Sequence, residues 1–498
     1  MLRLDAFLRR RRTAALVIWI ALFVAALPLA LHQSDNLTGG GFSVPGSQSK
    51  QVEDTLQRDF GVQARAASMG AVLVPAKNAT PAQIRATLDE LARAADDVAR
   101  VALPAKARAA ALKRAEPGTP LIVPLAVATD EFGSSDVASD LREELAIKDR
   151  AAAPVGLHLI GQGALWAGLQ DESKADLAAA ESTGFPIVLM ILLAVFGSLA
   201  AASLPLVLGV VSVLVTGAII YLLSSVIDMN VFVTNMASMI GIGVAVDYSL
   251  FVLARYREEL ARGHAPDRAR AIAMATSGVA VLFSGLTVVV SLAGLLFVRT
   301  SALQSMALGA ILVVLVSMLA SATLLPVLMR LLGKRASVRG PIIAAVARGV
   351  ANRRPWRRGS THPEAPVRAS AFERLAGAVM RRPIVAALAA TGVLLALAAP
   401  ALDFKTGDGA LRQFPDGNET RVGFEAAASV SSPGESSPIK VVVDRGEVRA
   451  ARATLKGDRE VLRVSRAIPA ERGDRVLLRV IPRRDGEAEE TKALVSRL

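Results

Sequence analysis

Hydrophobic positions in this chain gather into long unbroken runs instead of alternating with polar ones. Seven stand out: Thr13–Leu31, Gly184–Ala202, Leu204–Leu223, a run within Asn230–Arg262, Ser277–Phe297, Leu303–Leu325 and Pro383–Leu402. Roughly 18 or more apolar residues suffice for a helix to cross a bilayer. Helix is the form such a run takes there, because each backbone N–H and C=O is satisfied within the segment. The pattern predicts a polytopic α-helical membrane protein with about seven transmembrane helices. The first run follows the basic block Arg9–Arg12, as a signal peptide's would. It is long for that role and further spans follow, so it reads as a retained helix.

Between the runs the pattern changes. Residues 32–180 are mixed and polar, and short periodic segments alternate. Ser47 or Ser49 can cap a helix through Phe60, with Gly61 ending it. Ser68–Val74, Leu121–Val127 and Leu157–Ile160 read as strands. Thr80 with Pro81 opens a helix to about Val101, and Asp136–Ile147 reads as another. Glu90–Arg114 is a surface helix or a hairpin; the sequence leaves both open. Gly161–Ala180 reads as a helix leading into the membrane. Helices alternating with short strands suggest an α+β domain with a split βαβ arrangement. After the seventh run the plan recurs. Residues 413–430 (QFPDGNETRVGFEAAASV) echo residues 41–61 in placing a Pro/Gly turn and a helix start after a span. Ile439–Val443, Val461–Val464 and Val476–Ile481 then read as strands, Glu447–Leu455 as a helix, and a last helix starts at Glu487. Such an internal repeat is a fold-level signal. The organisation expected is residues 1–31, basic N-terminus and first span; 32–180, first α+β domain; 181–330, spans two to six; 331–382, a basic linker; 383–402, the seventh span; and 403–498, a second, incomplete α+β domain.

Composition agrees with a membrane protein: 52% of the 498 residues are hydrophobic and mean hydropathy is +0.44. The net charge of +13 would suit nucleic acid, but the basic residues concentrate beside apolar helices, so no nucleic-acid partner is expected. There they set orientation, since cytoplasmic loops carry the excess of Lys and Arg. Arg255, Arg257, Arg262, Arg268 and Arg270, then Arg330, Lys334 and Arg335, fall on one side. The opposite connections, Ser224–Asn230 and Val298–Ser301, carry little positive charge. The N-terminus is therefore expected in the cytoplasm and both α+β domains outside it. Arg353, Arg354, Arg357 and Arg358 in the linker either contact anionic membrane lipids or form a solvated loop. No cysteine is present, so no disulfide or thiolate chemistry arises. The four histidines are scattered and no phosphate-cradling glycine loop occurs. No enzyme activity, metal or cofactor is expected.

The candidate chemistry lies in the fourth run. Asp247 sits near its middle, where an Asp costs roughly 2.5–3.5 kcal/mol to insert. Such residues usually face a bundle interior or a hydrated path and often carry protons. Tyr248, one residue on, points about 100° away and is expected to serve a group on a facing helix instead of its neighbour. Gly241 and Gly243 permit close helix approach. Ser284, Thr287 and Ser291, spaced three and four apart, share one face. They either line a path to Asp247 or bond back to their own helix carbonyls.

These motifs carry a resemblance. GFSVPGSQS (residues 41–49), GIGVAVDYSLFVLARYREEL (241–260) and VLFSGLTVVVSLAGLLF (281–297) resemble the MmpL family of the resistance–nodulation–division superfamily. The resemblance covers essentially the whole chain. It implies an RND-like fold with porter domains outside the inner membrane, and a transporter driven by the proton gradient that exports lipids or hydrophobic small molecules. Asp247 and Tyr248 would be the proton relay. Family members have twelve spans, and a matching pair on the tenth faces this one. The missing half, or a partner chain, would have to supply it. Val279 departs from the family, where relatives often carry a basic residue. A lipid-sensing or assembly protein of the same superfamily is the competing reading, together with a non-functional truncated half. A homo-oligomer is left open.

Overall fold

A computed structural model describes residues 10–33, 37, 44–60, 68–129, 133–147, 153–227, 229–332, 371–403, 411, 414–436, 438–484, 486 and 488–498. Arg353, Arg354, Arg357 and Arg358 of the linker, Lys334, Arg335, Arg9 and the Gly61 stop lie outside these residues.

Helix α1 (Arg12–Leu31) is followed by α2 (Gln48–Asp59), whose Ser47 accepts the Lys50 N–H as an N-cap. The first sheet then forms from β1 (Ser68–Pro75), β2 (Val101–Ala102), β3 (Leu121–Val127) and β4 (Val155–Gly161). Between them run α3 (Pro81–Asp97), α4 (Ala105–Arg114) and α5 (Gly133–Glu144). The strand order is β2-β3-β1-β4 with antiparallel neighbours. This is a split βαβ arrangement: β3 lies between β1 and β2. Thr80 and Gln83 make a reciprocal capping box at the start of α3. That helix is shorter than its pattern suggests, because Arg100 takes a left-handed φ of 68° and turns the chain into β2. Glu90–Arg114 is thus the end of one helix, a short strand and a second helix. Leu73, Ile84, Leu88, Leu91, Leu141, Leu157 and Leu159 form the core beneath the sheet.

From β4 the chain enters α6 (Gln162–Phe196), a single helix of 35 residues, about 52 Å long at 1.5 Å per residue. It carries the chain from the α+β domain into the apolar bundle without a break at residue 180. The second apolar run is corrected here: it does not reach Ala202. Gly197 at φ 68° ends α6, and α7 (Leu199–Ser224) starts anew. The bundle continues with α8 (Phe232–Ala261), α9 (Pro266–Ala275), α10 (Ser277–Ala293, extended by a 3₁₀ turn to Phe297) and α11 (Ser301–Leu332). At the end of α8, buried Glu259 gathers Arg255 at 2.8 Å, Arg262 at 2.6 Å and His264 at 2.8 Å. Described separately, α12 (Ala371–Arg381) and α13 (Pro383–Ala398, with a 3₁₀ turn to Asp403) form the second unit of the chain. Seven helices in all are long and apolar enough to cross a membrane among the described residues.

The last region contains α14 (Glu419–Val430), β5 (Ile439–Asp444), α15 (Val448–Gly457), β6 (Val461–Val464), β7 (Ile468–Pro469), β8 (Arg475–Pro482) and α16 (Glu489–Arg497). Its order β5-β8-β6, with β7 also on β8, again places a later strand between two earlier ones. The two sheets exchange helices. α2, from the first half, packs Leu56 and Phe60 against Leu477 of β8, while Arg475 reaches Thr55 and Asp59, both at 3.3 Å. α14, from the second half, packs on the first sheet. There Glu419 pairs with buried Arg142 at 3.1 Å and accepts the Leu159 N–H at 3.1 Å. Gly423 lies against His158, where a Cβ would come within 2.7 Å.

Breaking a buried ion pair strands one charge, at about 3–5 kcal/mol. Glu419→Ala is therefore expected to lower stability by about 3 kcal/mol in thermal unfolding of the detergent-solubilised chain. The Glu419→Ala/Arg142→Met double variant should recover part of that loss. His158 supplies a pH test. Burial lowers its pKa below the ordinary 6.5, outweighing the attraction of Glu419. Neutral His158 therefore contributes stability above that ordinary value, and the contribution is lost as pH falls through the lowered one. Unfolding followed from neutral to acidic pH should show this loss, and His158→Leu should flatten it.

A carboxylate and a tyrosine on opposite sides of one membrane helix

Helix α8 divides into two faces. Gly241, Ala245, Tyr248, Ser249 and Val252 are buried against the neighbouring helices. Met239, Gly243, Asp247 and Phe251, spaced four apart, are exposed. One helix thus presents a packed side and an uncovered side, and the adjacent residues Asp247 and Tyr248 fall on different ones.

The packed side is tight. A Cβ on Gly241 would lie 2.4 Å from Val313 Cγ2 on α11 and 3.1 Å from Val213 Cγ2 on α7. Gly243, expected to share this role, does not: a Cβ there meets nothing within 4 Å, because two residues farther along a helix is about 200° around it. Tyr248 inserts between α8 and α10. Its hydroxyl lies where a Gly285 Cβ would come within 3.1 Å, and that Cβ would also strike Met318 Sδ at 2.3 Å. Tyr248 Oη is buried and makes no geometrically sound hydrogen bond among the described residues. The Ser284 hydroxyl is near enough to act on it. The expectation that Tyr248 faces another helix holds, but that helix is α10 of the same half. Gly285 was not among the sequence candidates; the only signal was a lone glycine in an apolar run.

Asp247 makes no hydrogen bond or ion pair among the described residues. Ser284, Thr287 and Ser291 are likewise exposed on α10. Thr287 Oγ1 donates to Phe283 O at 2.9 Å, so its hydroxyl is occupied by its own helix. The structure therefore brings Ser284 to Tyr248 and does not bring the three hydroxyls onto Asp247. Two polar contacts unread from sequence tie α8 to α6: Ser238 Oγ donates to Glu181 Oε1 at 2.5 Å, and Asn235 Nδ2 donates to Ser173 Oγ. No group of three or more His, Cys, Asp or Glu side chains placed to hold a metal occurs among the described residues.

Comparison with known proteins places this geometry in context. Residues 41–384 match the model of the MMPL family. The chain is 42% identical over 448 residues to the mycolic acid-containing lipids exporter MmpL11 of Mycolicibacterium smegmatis, covering 89% of this chain and 45% of that one. Identity to the heme uptake protein MmpL11 of Mycobacterium tuberculosis is also 42% over 448 residues, covering 89% and 44%. To the trehalose monomycolate exporter MmpL3 of Mycobacterium tuberculosis it is 27% over 456 residues, covering 87% and 47%. The chain spans under half the length of these relatives.

The two glycines give a direct test of the two faces. Gly241→Ala is expected to destabilise the bundle by about 1–3 kcal/mol through overpacking, read as a lower midpoint of thermal unfolding in detergent. Gly243→Ala should leave the midpoint of the 498-residue chain nearly unchanged. Equal effects would contradict the division of faces.

Proposed function

The chain belongs to the MMPL family, and from that membership we propose that it forms half of a secondary transporter, driven by the proton gradient, that exports a lipid or hydrophobic small molecule across the inner membrane. The observation that carries the reading is Asp247, midway along a membrane helix on a face no described residue covers. An ionised carboxylate there is costly in contact with lipid. A second set of helices, from the rest of the transporter or from a partner chain, covers this face and gives Asp247 its counterpart. Proton coupling then follows from ordinary electrostatics. Burial in one conformation favours the protonated acid, and a nearby donor or cation in the other favours the anion. Alternation between the two moves one proton inward while the outer domains move substrate outward. Tyr248 holds the seam between α8 and α10 on which that change turns. The proton gradient takes the place of a cofactor.

Orientation rests on the basic residues: Arg255, Arg262 and Arg330 face the cytoplasm, and both α+β domains act as extracytoplasmic porter domains. The substrate class follows the relatives, two of which are named as exporters of mycolic or mycolate lipids. A second reading comes from the relative named a heme uptake protein: a flat, hydrophobic ligand moving inward. A lipid-sensing or assembly role within the superfamily has less need of a carboxylate at that depth.

Asp247→Asn in the intact transporter is expected to abolish proton-driven flux in liposomes while insertion stays normal; wild-type flux would refute the relay. Tyr248→Phe should lower the rate, and an unchanged rate across pH would show its hydroxyl to be dispensable. Imposing the gradient on vesicles loaded in turn with fluorescent lipid and with heme separates export from uptake.

A further inference from the structure

Between α1, α7 and α11 the bundle opens into a groove of about 410 Å³, within the ~300–1,000 Å³ span of small-molecule sites. Trp19, Ile20 and Phe23 of α1 line it, with Val207 of α7 and Leu324 and Leu328 of α11. Its polar atoms are already engaged. Trp19 Nε1 donates to Thr323 Oγ1 at 3.0 Å, Thr323 Oγ1 donates to Leu319 O, and Ser203 Oγ donates to Ala200 O at 3.1 Å. A groove with no hydrogen-bonding capacity left selects hydrocarbon, since any polar atom entering it would lose water without replacement.

No charged residue lines the groove, but arginines adjoin its walls in sequence at one end. Exposed Arg10 and Arg11 precede α1, and Arg330 lies in the last turn of α11. Arg330 follows Thr323 by seven residues, which returns it to nearly the same helical face about 10 Å farther along. α1 crosses in the opposite sense, as the first of alternating spans against the sixth. About 12–13 Å below Trp19 it reaches Arg11 and Arg10. Arg330 therefore lies on the side of α11 that meets α1, toward the end of α1 that carries Arg10 and Arg11. Arg330 Nη1 is buried and without a hydrogen-bond partner among the described residues, a costly state for a guanidinium nitrogen that an oxyanion would relieve.

We propose that this groove is a binding site for an anionic glycerophospholipid of the arginine-side leaflet. One acyl chain lies along Trp19, Val207 and Leu328, and the phosphate sits between Arg330 and the Arg10–Arg11 pair. Such a lipid belongs to the bundle instead of its solvent, adding to the contacts by which α1 meets α7 and α11. The site is remote in sequence from Asp247 and requires only that the chain be embedded in a membrane, so it stands whether or not proton coupling does.

Trp19 reports on the site. The chain has three tryptophans, and replacing Trp166 and Trp356 by Phe leaves it as the sole indole. Bromine on a lipid acyl chain quenches an indole on contact. In phosphatidylcholine liposomes, a minor fraction of brominated phosphatidylglycerol is expected to quench Trp19 several-fold more than an equal fraction of brominated phosphatidylcholine. Arg330→Gln should bring the two to parity with the Trp19 emission maximum unchanged. Arg11→Gln, on an exposed position, should reduce the preference even if the Arg330 variant folds poorly. Equal quenching by both lipids in the parent chain would reduce the groove to ordinary lipid boundary and overturn the proposal. Quenching by neither would overturn it by showing the groove closed to lipid, and a preference that survives both substitutions would overturn the placement of the phosphate.

Discussion

Hydrocarbon cannot solvate a charge, and Asp247 makes that constraint the organising feature of the bundle. An Asp at the centre of a membrane helix costs roughly 2.5–3.5 kcal/mol even with relaxation, so its face of α8 has to be met by protein or water. The opposite face is made of residues that let helices close. Gly241 admits the valines of α7 and α11, and Gly285 admits the Tyr248 ring. Packing and titratable chemistry are thus separated by about half a turn of one helix. The tyrosine that follows the carboxylate in sequence belongs to the packed side.

The regions outside the bundle are constrained differently. Neither small α+β sheet is covered by its own half of the chain alone. α2 crosses to the second sheet and α14 to the first, and Glu419 anchors α14 through Arg142 and the Leu159 amide. A displacement of either sheet therefore bears on the other. α6 extends this linkage toward the membrane as one unbroken helix. At its start Gly168 sits against Thr420 and Phe414, Glu172 accepts from Asn418, and lower down Ser173 and Glu181 meet Asn235 and Ser238 of the Asp247 helix. A continuous helix transmits tilt and rotation along its length, so α8 and the two sheets have a physical route between them.

Much of this was legible before any coordinates. Apolar runs longer than a bilayer is thick read as helices because lipid permits little else. Strands such as Leu121–Val127 read cleanly because β3 alternates buried and more exposed positions along most of its length. Thr80 and Pro81 marked a helix start, and Gln83 completes its cap through local hydrogen bonds that need no tertiary partner. The errors have local causes as well. The run to Ala202 concealed the break at Gly197, since one glycine and one serine barely lower the hydropathy of a long apolar run. The strand at Val101–Ala102 was hidden because a left-handed Arg100 has no compositional mark.

By itself, then, the sequence determined which segments enter the membrane, the ends of several helices and strands, and that a carboxylate and a tyrosine stand together in mid-helix. These follow from burial, periodicity and capping, which act over a few residues. Only the tertiary structure decided that Gly241 packs and Gly243 does not, that Tyr248 turns to Gly285 while Asp247 faces outward, and that the two sheets trade helices. Those outcomes depend on which neighbour occupies each helical face, and a face meets its neighbour across chain separations that no local pattern encodes.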